Sequence, residues 1–269
     1  MSQKRQAAVF DALADGRSQI VSLRHDYAAG HVIPLHFHDR DQLVYASRGV
    51  MTVRTEDGAW VVPTHRAVWI PASVAHTVAM SGAVAMRTLY LRARLAEGLP
   101  RECCVVNVLP LLRELILHVC AVGSLKKTIK RQYHLMSLIL DLLAASPRIP
   151  LQLRNPSDPR AVSVAEVLLA NPSDRRPLAQ MCERSGASKR TIERLFQLQV
   201  GMTFSKWRQQ LRLMQAMRLL AEGAKVTHAA LESGYSTPSA FICMFKKALG
   251  KTPAAYFAAD TAANGPIGN

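Results

Sequence analysis

The chain has 269 residues, 49% of them hydrophobic, so it is long enough for two domains and too apolar to be disordered. It has 34 Lys and Arg against 19 Asp and Glu, and no apolar run reaches the roughly 18 residues that a membrane span needs. The net charge of +15 divides into +7 before Leu151 and +8 from it onward. This balance favours a polyanionic partner, with nucleic acid first, over a basic surface that only keeps the chain soluble.

The N-terminus and the cysteines indicate a cytoplasmic protein that does not enter a membrane. The first ten residues, MSQKRQAAVF, lack the apolar core of a signal peptide. The five cysteines are odd in number and show no Cys-x-x-Cys spacing, which is typical of reduced thiols.

Residues 18–95 are predicted to form short strands separated by turns. Their β-branched or aromatic runs end at Gly or Pro or lead into Glu-Asp-Gly, and they read QLVYASRG, VMTVRT, AWVVP, RAVWIP and AMRTLYLR. This pattern predicts an all-β barrel or sandwich.

Residues 107–146 are predicted to form two apolar helices. One stripe joins Leu112, Ile116 and Val119, and in the second helix two stripes are formed by Ile129, Tyr133, Met136, Leu140 and Leu143 and by Leu135, Ile139 and Leu142. So much apolar surface favours a helix-to-helix dimer contact, and the alternative is that both helices pack on their own barrel.

The segment Ser146–Pro159 is predicted to be a linker because its four prolines forbid a continuous helix. All of the chain beyond it is predicted to be helical.

A first helix-turn-helix pattern follows in PLAQMCERSGASKRTIERLFQLQVG. A short amphipathic helix ends at Gly186, and Ser188 is placed to cap the next helix. That helix would bury Ile192, Leu195 and Phe196 and would leave a basic face exposed.

The same pattern repeats in VTHAALESGYSTPSAFICMFKKALG. Thr237 stands 49 positions after Ser188 at the equivalent point, with Phe241 and Phe245 predicted inward. Between the two units, residues 204–222 are predicted to form one helix of roughly 28 Å. That length can hold two reading helices about one DNA turn, near 34 Å, apart, so one chain could enter two successive major grooves. The alternative is a plain helical bundle with a basic surface.

The C-terminal segment closely resembles the signature of the AraC/XylS family of transcription regulators. The match covers about Asp158–Ala259, and its hallmarks are Ala230, Gly234-Tyr235, Ser239, Phe241, Phe245-Lys246, Gly250, Thr252-Pro253 and Tyr256. The resemblance implies seven helices and two helix-turn-helix units that read DNA. The chain departs from many members at Cys243, where they have a basic or polar residue, and near Ala258, where they have Arg.

Position in this motif gives the residues that are expected to face DNA. They are Lys189, Arg190, Glu193 and Arg194 in the first unit, and Thr237, Pro238, Ser239, Ile242 and Cys243 in the second. Arg190 and Arg194 are the best direct readers because a guanidinium can bond guanine O6 and N7 together. Lys246 and Lys247 are expected to contact phosphates and fix the register.

The spacing from Gly30 through His36-x-His38 and Gln42 to Gly49 resembles the first cupin motif. The run Pro71–His76, PASVAH, resembles the second, with His76 as its histidine. Cupin-like barrels followed by two dimerisation helices are common in the AraC family. The run from Gln42 to Val78 is also similar to regulators of efflux or drug-resistance genes.

The histidines raise the question of a metal. Positions i and i+2 of a strand point to one face, so His36 and His38 are expected to aim into the barrel with Gln42, while His76 arrives from a facing strand. Three imidazoles suit Zn, Ni, Cu or Fe, and the Gln42 oxygen would be a weak fourth ligand where metal-binding cupins usually keep a glutamate. The alternative is a metal-free pocket whose neutral histidines hydrogen-bond an effector.

Taken together, the sequence predicts an α+β protein with two domains. The predicted parts are a cupin-like effector-sensing β-barrel at 1–106, dimerisation helices at 107–146, a linker at 147–158, an all-α DNA-binding domain at 159–260 and a flexible tail at 261–269. The predicted function is a homodimeric, ligand-responsive regulator that binds double-stranded promoter DNA and a small-molecule or metal effector. The alternative is a cupin metalloenzyme of the dioxygenase or isomerase class, which the tandem DNA-reading pattern disfavours.

Overall fold

The structure, a computed structural model, describes residues 18–93, 95, 98–146, 148–149, 152–183 and 185–262. Outside the described residues lie residues 1–17, 94, 96 and 97 of the predicted barrel, Pro147, Pro150 and Leu151 of the predicted linker, Arg184 of the predicted DNA-binding domain, and the tail from residue 263. The chain divides into two compact units. The first extends to Gln152 without Asp57–Ala59, and the second begins at Leu153 and includes those three residues.

The first unit is built on antiparallel strands. Their bounds are β1 Ile20–Tyr27, β2 Val32–His36, β3 Arg40–Thr55, β4 Gly58–Val62, β5 Arg66–Ile70, β6 His76–Arg92, β7 Cys104–Asn107, β8 Ser124–Leu125 and β9 Arg148–Ile149. The sheet order is β8-β1-β6-β3-β5-β7-β9, and β2 pairs with β6. The predicted sheet-rich N-terminal unit is confirmed.

Strand β3 runs through a glycine that was expected to end a strand. The segments QLVYASRG and VMTVRT are one strand, and its register with β6 shifts between Ala46 and Val50. Gly49 lies in this bulge with φ +82°, and a Cβ there would come within 2.4 Å of the Ala83 carbonyl oxygen. Only glycine tolerates that backbone, so Gly49 bends the strand where a turn was predicted.

Two helices, α1 Pro110–Val122 and α2 Lys130–Ala145, follow the strands. The whole first stripe, Leu112, Ile116 and Val119, is buried against barrel residues such as Leu43 and Trp69. Met136, Ile139 and Leu143 of α2 are buried in the same core. Much of the apolar surface that suggested a dimer contact therefore packs on its own sheet.

Strand β10, Gln152–Arg154, spans the boundary at Leu153, and the second unit beyond it is helical. Its helices are α3 Pro159–Ala170, α4 Leu178–Cys182, α5 Lys189–Leu195, α6 Phe204–Ala221, α7 Val226–Glu232, α8 Pro238–Leu249 and α9 Pro253–Ala262. A π-helical turn, Phe196–Val200, extends α5 and ends at Gly201. Within the described part of this unit there are thus seven α-helices, as the family resemblance implied.

The helix boundaries follow from local chemistry. Ser188, Thr203 and Thr237 each accept a backbone N–H at the start of α5, α6 and α8, at 3.2–3.3 Å. These caps satisfy donors that the first turn of a helix cannot pair. None of the described helices combines the length and apolar character that crossing a bilayer requires.

The segment that was predicted to be a linker is partly held by the second unit. The side-chain oxygen of Gln199 accepts the backbone N–H groups of Ser157 and Asp158, both at 3.0 Å. The buried Trp207 indole donates to the Arg154 carbonyl at 2.8 Å. The chain from Arg154 to Asp158 is therefore fixed by Gln199 and Trp207 of the helical unit.

Candidate functional sites: a histidine cluster and two reading helices

Three histidines meet at one end of the first unit. His36 ends β2 and is the cross-strand partner of His76, the first residue of β6, with ring centroids 4.3 Å apart. The ring of His38 lies 4.8 Å from that of His36 and 5.5 Å from that of His76. One ligand nitrogen from each lies within 4.8 Å of the others.

The cluster forms by a route that differs from the predicted one. His76 comes from the strand next to His36 and not from a facing strand. His38 lies past the end of β2, so strand alternation does not orient it. Its backbone is held instead by the second motif, because the Ser73 N–H donates to the His38 carbonyl oxygen at 2.7 Å.

The loop that carries His76 is braced in a strained conformation. Ser73 is the one non-glycine residue with positive φ, +67°, in the described chain. The Ala72 N–H donates to the Asp41 carboxylate at 2.9 Å, which ties the same loop to the start of β3. Strain of this kind persists only where neighbouring contacts fix it, and here those contacts align His38 with His76.

The hydrogen bonds of the histidines define their tautomers. Nδ1 of His36 bonds the Pro34 carbonyl oxygen at 2.7 Å, and Nδ1 of His76 bonds the Val74 carbonyl oxygen at 2.9 Å. Because a carbonyl only accepts, each Nδ1 is the donor in its bond, which leaves Nε2 of each ring for a further contact. Nε2 of His76 and Nε2 of His38 are buried without a hydrogen-bond partner.

Burial keeps two of the three histidines, His38 and His76, neutral. Burial, followed by the nearby His36 and His76, lowers the pKa of His38 to about 4. Burial also lowers the pKa of His76, which is 1% exposed, to about 4. At neutral pH these imidazoles are therefore lone-pair donors and not cations.

Gln42 adds an acceptor beside the cluster. It lies on β3 opposite Tyr90 of β6, is 3% exposed, and its Oε1 has no hydrogen-bond partner. The Tyr90 ring packs edge-on against His38 at 4.9 Å. Burial raises the pKa of Tyr90.

A cavity of about 260 Å³ adjoins His36, His38 and Gln42. Its remaining walls are mostly apolar or aromatic and include Leu23, Tyr27, Ile33, Val78, Met86 and Tyr90. A few polar groups at one end of an apolar cavity are typical of a small-molecule site, and this volume suits only a small ligand.

Helix α5, which the sequence predicts to read DNA in the first helix-turn-helix unit and which we call the first reading helix, exposes the predicted basic face. Lys189, Arg190, Glu193 and Arg194 are all exposed, whereas Ile192 and Leu195 are buried. Lys189 and Glu193 form an ion pair at 3.8 Å that is largely in solvent and so contributes little to stability.

The second reading helix, α8, has a different surface. Thr237, Ser239, Cys243, Lys246 and Lys247 are exposed, and Pro238 and Ile242 are half-buried. Phe241 and Phe245 are fully buried as predicted. Its central exposed positions are small or apolar, and its cations are confined to the last turn.

Two family models match the chain. An AraC-like ligand-binding domain matches residues 20–155, and a helix-turn-helix domain matches residues 181–259. The HTH-type transcriptional regulator NimR of Escherichia coli K12 is 33% identical over 225 residues, which cover 84% of this chain and 82% of NimR. The chain belongs to the AraC family of transcription regulators.

Other similarities to AraC-family and related proteins cover smaller shares or show lower identity. The HTH-type transcriptional regulator RipA of Corynebacterium diphtheriae is 33% identical over 45% of this chain and 34% of its own length. The DNA-binding domain of AdpA, solved with a target DNA, is 33% identical over 42% of this chain and its full length, with a TM-score of 0.38. ToxT of Vibrio cholerae, solved with an unsaturated fatty acid, is 12% identical over 88% of this chain and 94% of its own, with a TM-score of 0.37.

Membership of the AraC family confirms the prediction of a DNA-binding transcription regulator with a ligand-binding domain. The named relatives are regulators, so the alternative of a cupin metalloenzyme is not supported. Sequence reasoning found His36, His38, Gln42 and His76 but missed Tyr90, Asp41 and Ser73. These three act through strand register and loop contacts, and no local spacing in the sequence indicates them.

Proposed function

We propose that this AraC-family regulator binds a divalent transition metal at His36, His38 and His76, and that occupancy of the sensor unit controls DNA binding. The convergence of three imidazoles, of which His38 and His76 are kept neutral by burial, carries the proposal. Two of their Nε2 atoms are buried and unpaired, which is costly unless a ligand binds them.

The donor set fits a metal such as Zn, Ni, Cu or Fe. Imidazole nitrogens bind zinc at about 2.0–2.1 Å, and bonds from Nδ1–H to carbonyls orient such ligands in known sites. The three ligand nitrogens already lie within 4.8 Å of one another, and small rotations of the rings would bring them to a common centre. Gln42 offers an uncharged oxygen as a weak further ligand, so we expect modest affinity.

The apolar cavity beside the cluster supports a second candidate, a metal-free pocket. There the same Nε2 atoms and the Gln42 oxygen would accept hydrogen bonds from donors of a small organic effector, and Leu23, Ile33 and Val78 would cover its apolar part. In either case the ligand acts by binding one arrangement of the regulator more tightly than the other.

For DNA we propose that α5 and α8 enter successive major grooves. Arg190 and Arg194 would read guanine, and Lys189 and Glu193 complete the exposed face of α5. Thr237, Pro238, Ser239, Ile242 and Cys243 would contact base edges or thymine methyl groups in the second groove. Lys246 and Lys247 would contact phosphates. Control of an efflux gene stays a prediction.

We further propose that a second copy of the chain covers the exposed part of α1 and α2. Large apolar residues remain exposed there, namely Leu111, Val122, Ile129, Tyr133 and Leu138. The family resemblance, in which two such helices pair the chains, argues for a second copy. Sedimentation should give a dimer for the natural protein and a monomer for Ile129→Asp with Tyr133→Asp, and a monomeric natural protein would exclude this contact.

The metal proposal is tested with the variant His36→Ala with His38→Ala. Purified natural protein should contain a transition metal near one equivalent, and the variant should contain none. The variant should also lose the response of DNA binding to added Zn while it keeps basal DNA binding. His118→Ala, an exposed histidine on α1 away from the cluster, is the matched control. A metal-free natural protein that takes up no added metal, but is stabilised by small organic ligands, would favour the second candidate.

A further inference from the structure

Two arginines on α6 hold the loop in front of the first helix-turn-helix unit. Arg208 and Arg212 lie one turn apart on this helix, and the guanidinium of each donates a hydrogen bond to the Asp174 carbonyl oxygen. The bond from Nη2 of Arg212 measures 2.8 Å. Arg208 also donates to the Arg176 carbonyl oxygen at 2.9 Å. The loop Asn171–Pro177 is therefore fastened to the spacer helix through its backbone.

The same arginines reach the turn of the second helix-turn-helix unit. The Arg212 guanidinium lies 5.9 Å from the centre of the Tyr235 ring. Gly234 has φ +82°, and a Cβ there would come within 2.8 Å of Nη2 of Arg212, so the guanidinium sits directly against this turn. Arg175 completes the connection by donating to the Tyr235 carbonyl oxygen at 2.7 Å.

The network runs along a cleft between the two helix-turn-helix units, both of which belong to the second compact unit of the chain. The cleft holds about 520 Å³, and Lys189 and Glu193 of the first reading helix, Arg208 and Arg212 of α6, and Tyr235 of the second unit line it. The network thus joins the two helix-turn-helix units on the side of α6 where Lys189 and Glu193 of the first reading helix also line the cleft.

These contacts come at an energetic cost. Burial lowers the pKa of both Arg208 and Arg212, and each arginine is half-buried near another cation. The nearby Asp174 carboxylate is bonded to Arg176, at 2.6 Å, so the two α6 arginines are held mainly by carbonyls. An apolar helix contact would avoid the cost of removing charge from water, but it would not fix direction and distance as forked hydrogen bonds do.

We propose that Arg208 and Arg212 are positioning residues that set which spacing between its two DNA half-sites the regulator accepts. The inference rests on the proposed reading by α5 and α8. A rigid pair of reading helices fits one half-site spacing, because each added base pair both shifts and rotates the second groove. If the two reading helices can move relative to each other, the protein accepts several half-site spacings and binds the optimal spacing less tightly.

The experiment uses the full-length protein and a duplex site enriched by it from a randomised pool. Binding is measured to that site and to versions with one base pair inserted or removed between the half-sites. The natural protein should bind the altered sites about tenfold more weakly, similar to the loss from one mismatched base pair. Arg212→Ala and Arg208→Ala should bind the original site more weakly and should distinguish the spacings by less than about threefold.

Two variants separate this role from others. Arg218→Ala, an exposed arginine on the same helix, should keep the natural spacing profile. Arg190→Ala should weaken all spacings equally, and a lack of effect there would indicate that the reading assignment, and not the spacer, is wrong. If Arg212→Ala does not fold, Arg212→Lys keeps the positive charge but lacks the forked hydrogen bonds of the guanidinium. This variant should also distinguish the half-site spacings less than the natural protein does. A spacing profile that is unchanged in Arg208→Ala, Arg212→Ala or Arg212→Lys, or a loss that is uniform at every spacing in these three variants, would overturn the proposal.

Discussion

The histidine cluster and the first reading helix use basic side chains in opposite ways. His38 is half-buried and His76 is buried, their pKa values are lowered to about 4, and they offer lone pairs. Arg190 and Arg194 are exposed on α5 and offer charge and donors. Burial decides which role a basic residue takes, because a low-dielectric surrounding disfavours the charged form. The cluster should therefore respond to pH and the helix to salt.

The largest expected effect is the response of DNA binding to salt. If six or more cations contact phosphates, affinity should fall roughly 1,000-fold between 50 and 200 mM salt, whereas metal content should not change. Lys246→Ala with Lys247→Ala should reduce the slope of log affinity against log salt by about 2. Fluorescence anisotropy over a salt series measures both values. A slope that the double variant leaves unchanged would remove these lysines from the phosphate contacts.

The next effect concerns Arg190. Arg190→Ala should weaken specific binding by about 1–3 kcal/mol and relax the preference at one base pair. Gln197→Ala, an exposed polar residue beyond α5, serves as the control. Competition among base-substituted duplexes gives the result, and an unchanged preference would show that Arg190 does not read a base.

A smaller effect is expected when Gln42 becomes a carboxylate. Gln42→Glu should raise metal affinity because it adds a negative charge beside the three imidazoles. Gln42→Asn keeps the amide but shortens it, and it should not raise the affinity. Titration with Zn against a competing chelator compares the three proteins, and equal affinities would exclude Gln42 from the site.

The smallest effect is a pH dependence of stability in chelator-treated protein. A histidine whose folded pKa lies near 4 takes up a proton on unfolding at any pH between that value and its ordinary 6.5. The contribution of His38 and His76 to the free energy of unfolding should therefore be largest above pH 6.5 and should decline as the pH falls toward 4. Thermal melts of the natural protein and of His76→Phe test this, since the variant should show a shallower decline.

Local signals in the sequence predicted the second unit well. Ser188 and Thr237 cap α5 and α8 at the predicted positions, and the buried faces with Phe241 and Phe245 agree with helical spacing. Caps and periodicity act within a few residues, so they can be read directly from the chain.

The sensor unit was predicted less completely because its geometry depends on distant pairings. The route of His76 from the strand beside His36, the pairing of Gln42 with Tyr90, and the bend at Gly49 all follow from the register of β3 and β6. The same limit on sequence-based prediction applies to α1 and α2, because the apolar stripe of a helix does not reveal which surface will cover it.

The exposed thiol of Cys243 on α8 can report on this helix through its chemical reactivity. Of the five cysteines, all within the described residues, Cys243 is exposed and the others are half-buried or buried. A maleimide reagent should therefore react first on the face of the second reading helix. If α8 enters the second major groove, added DNA should protect Cys243 from alkylation. The degree of protection during a DNA titration would then measure binding of the second reading helix without an engineered label.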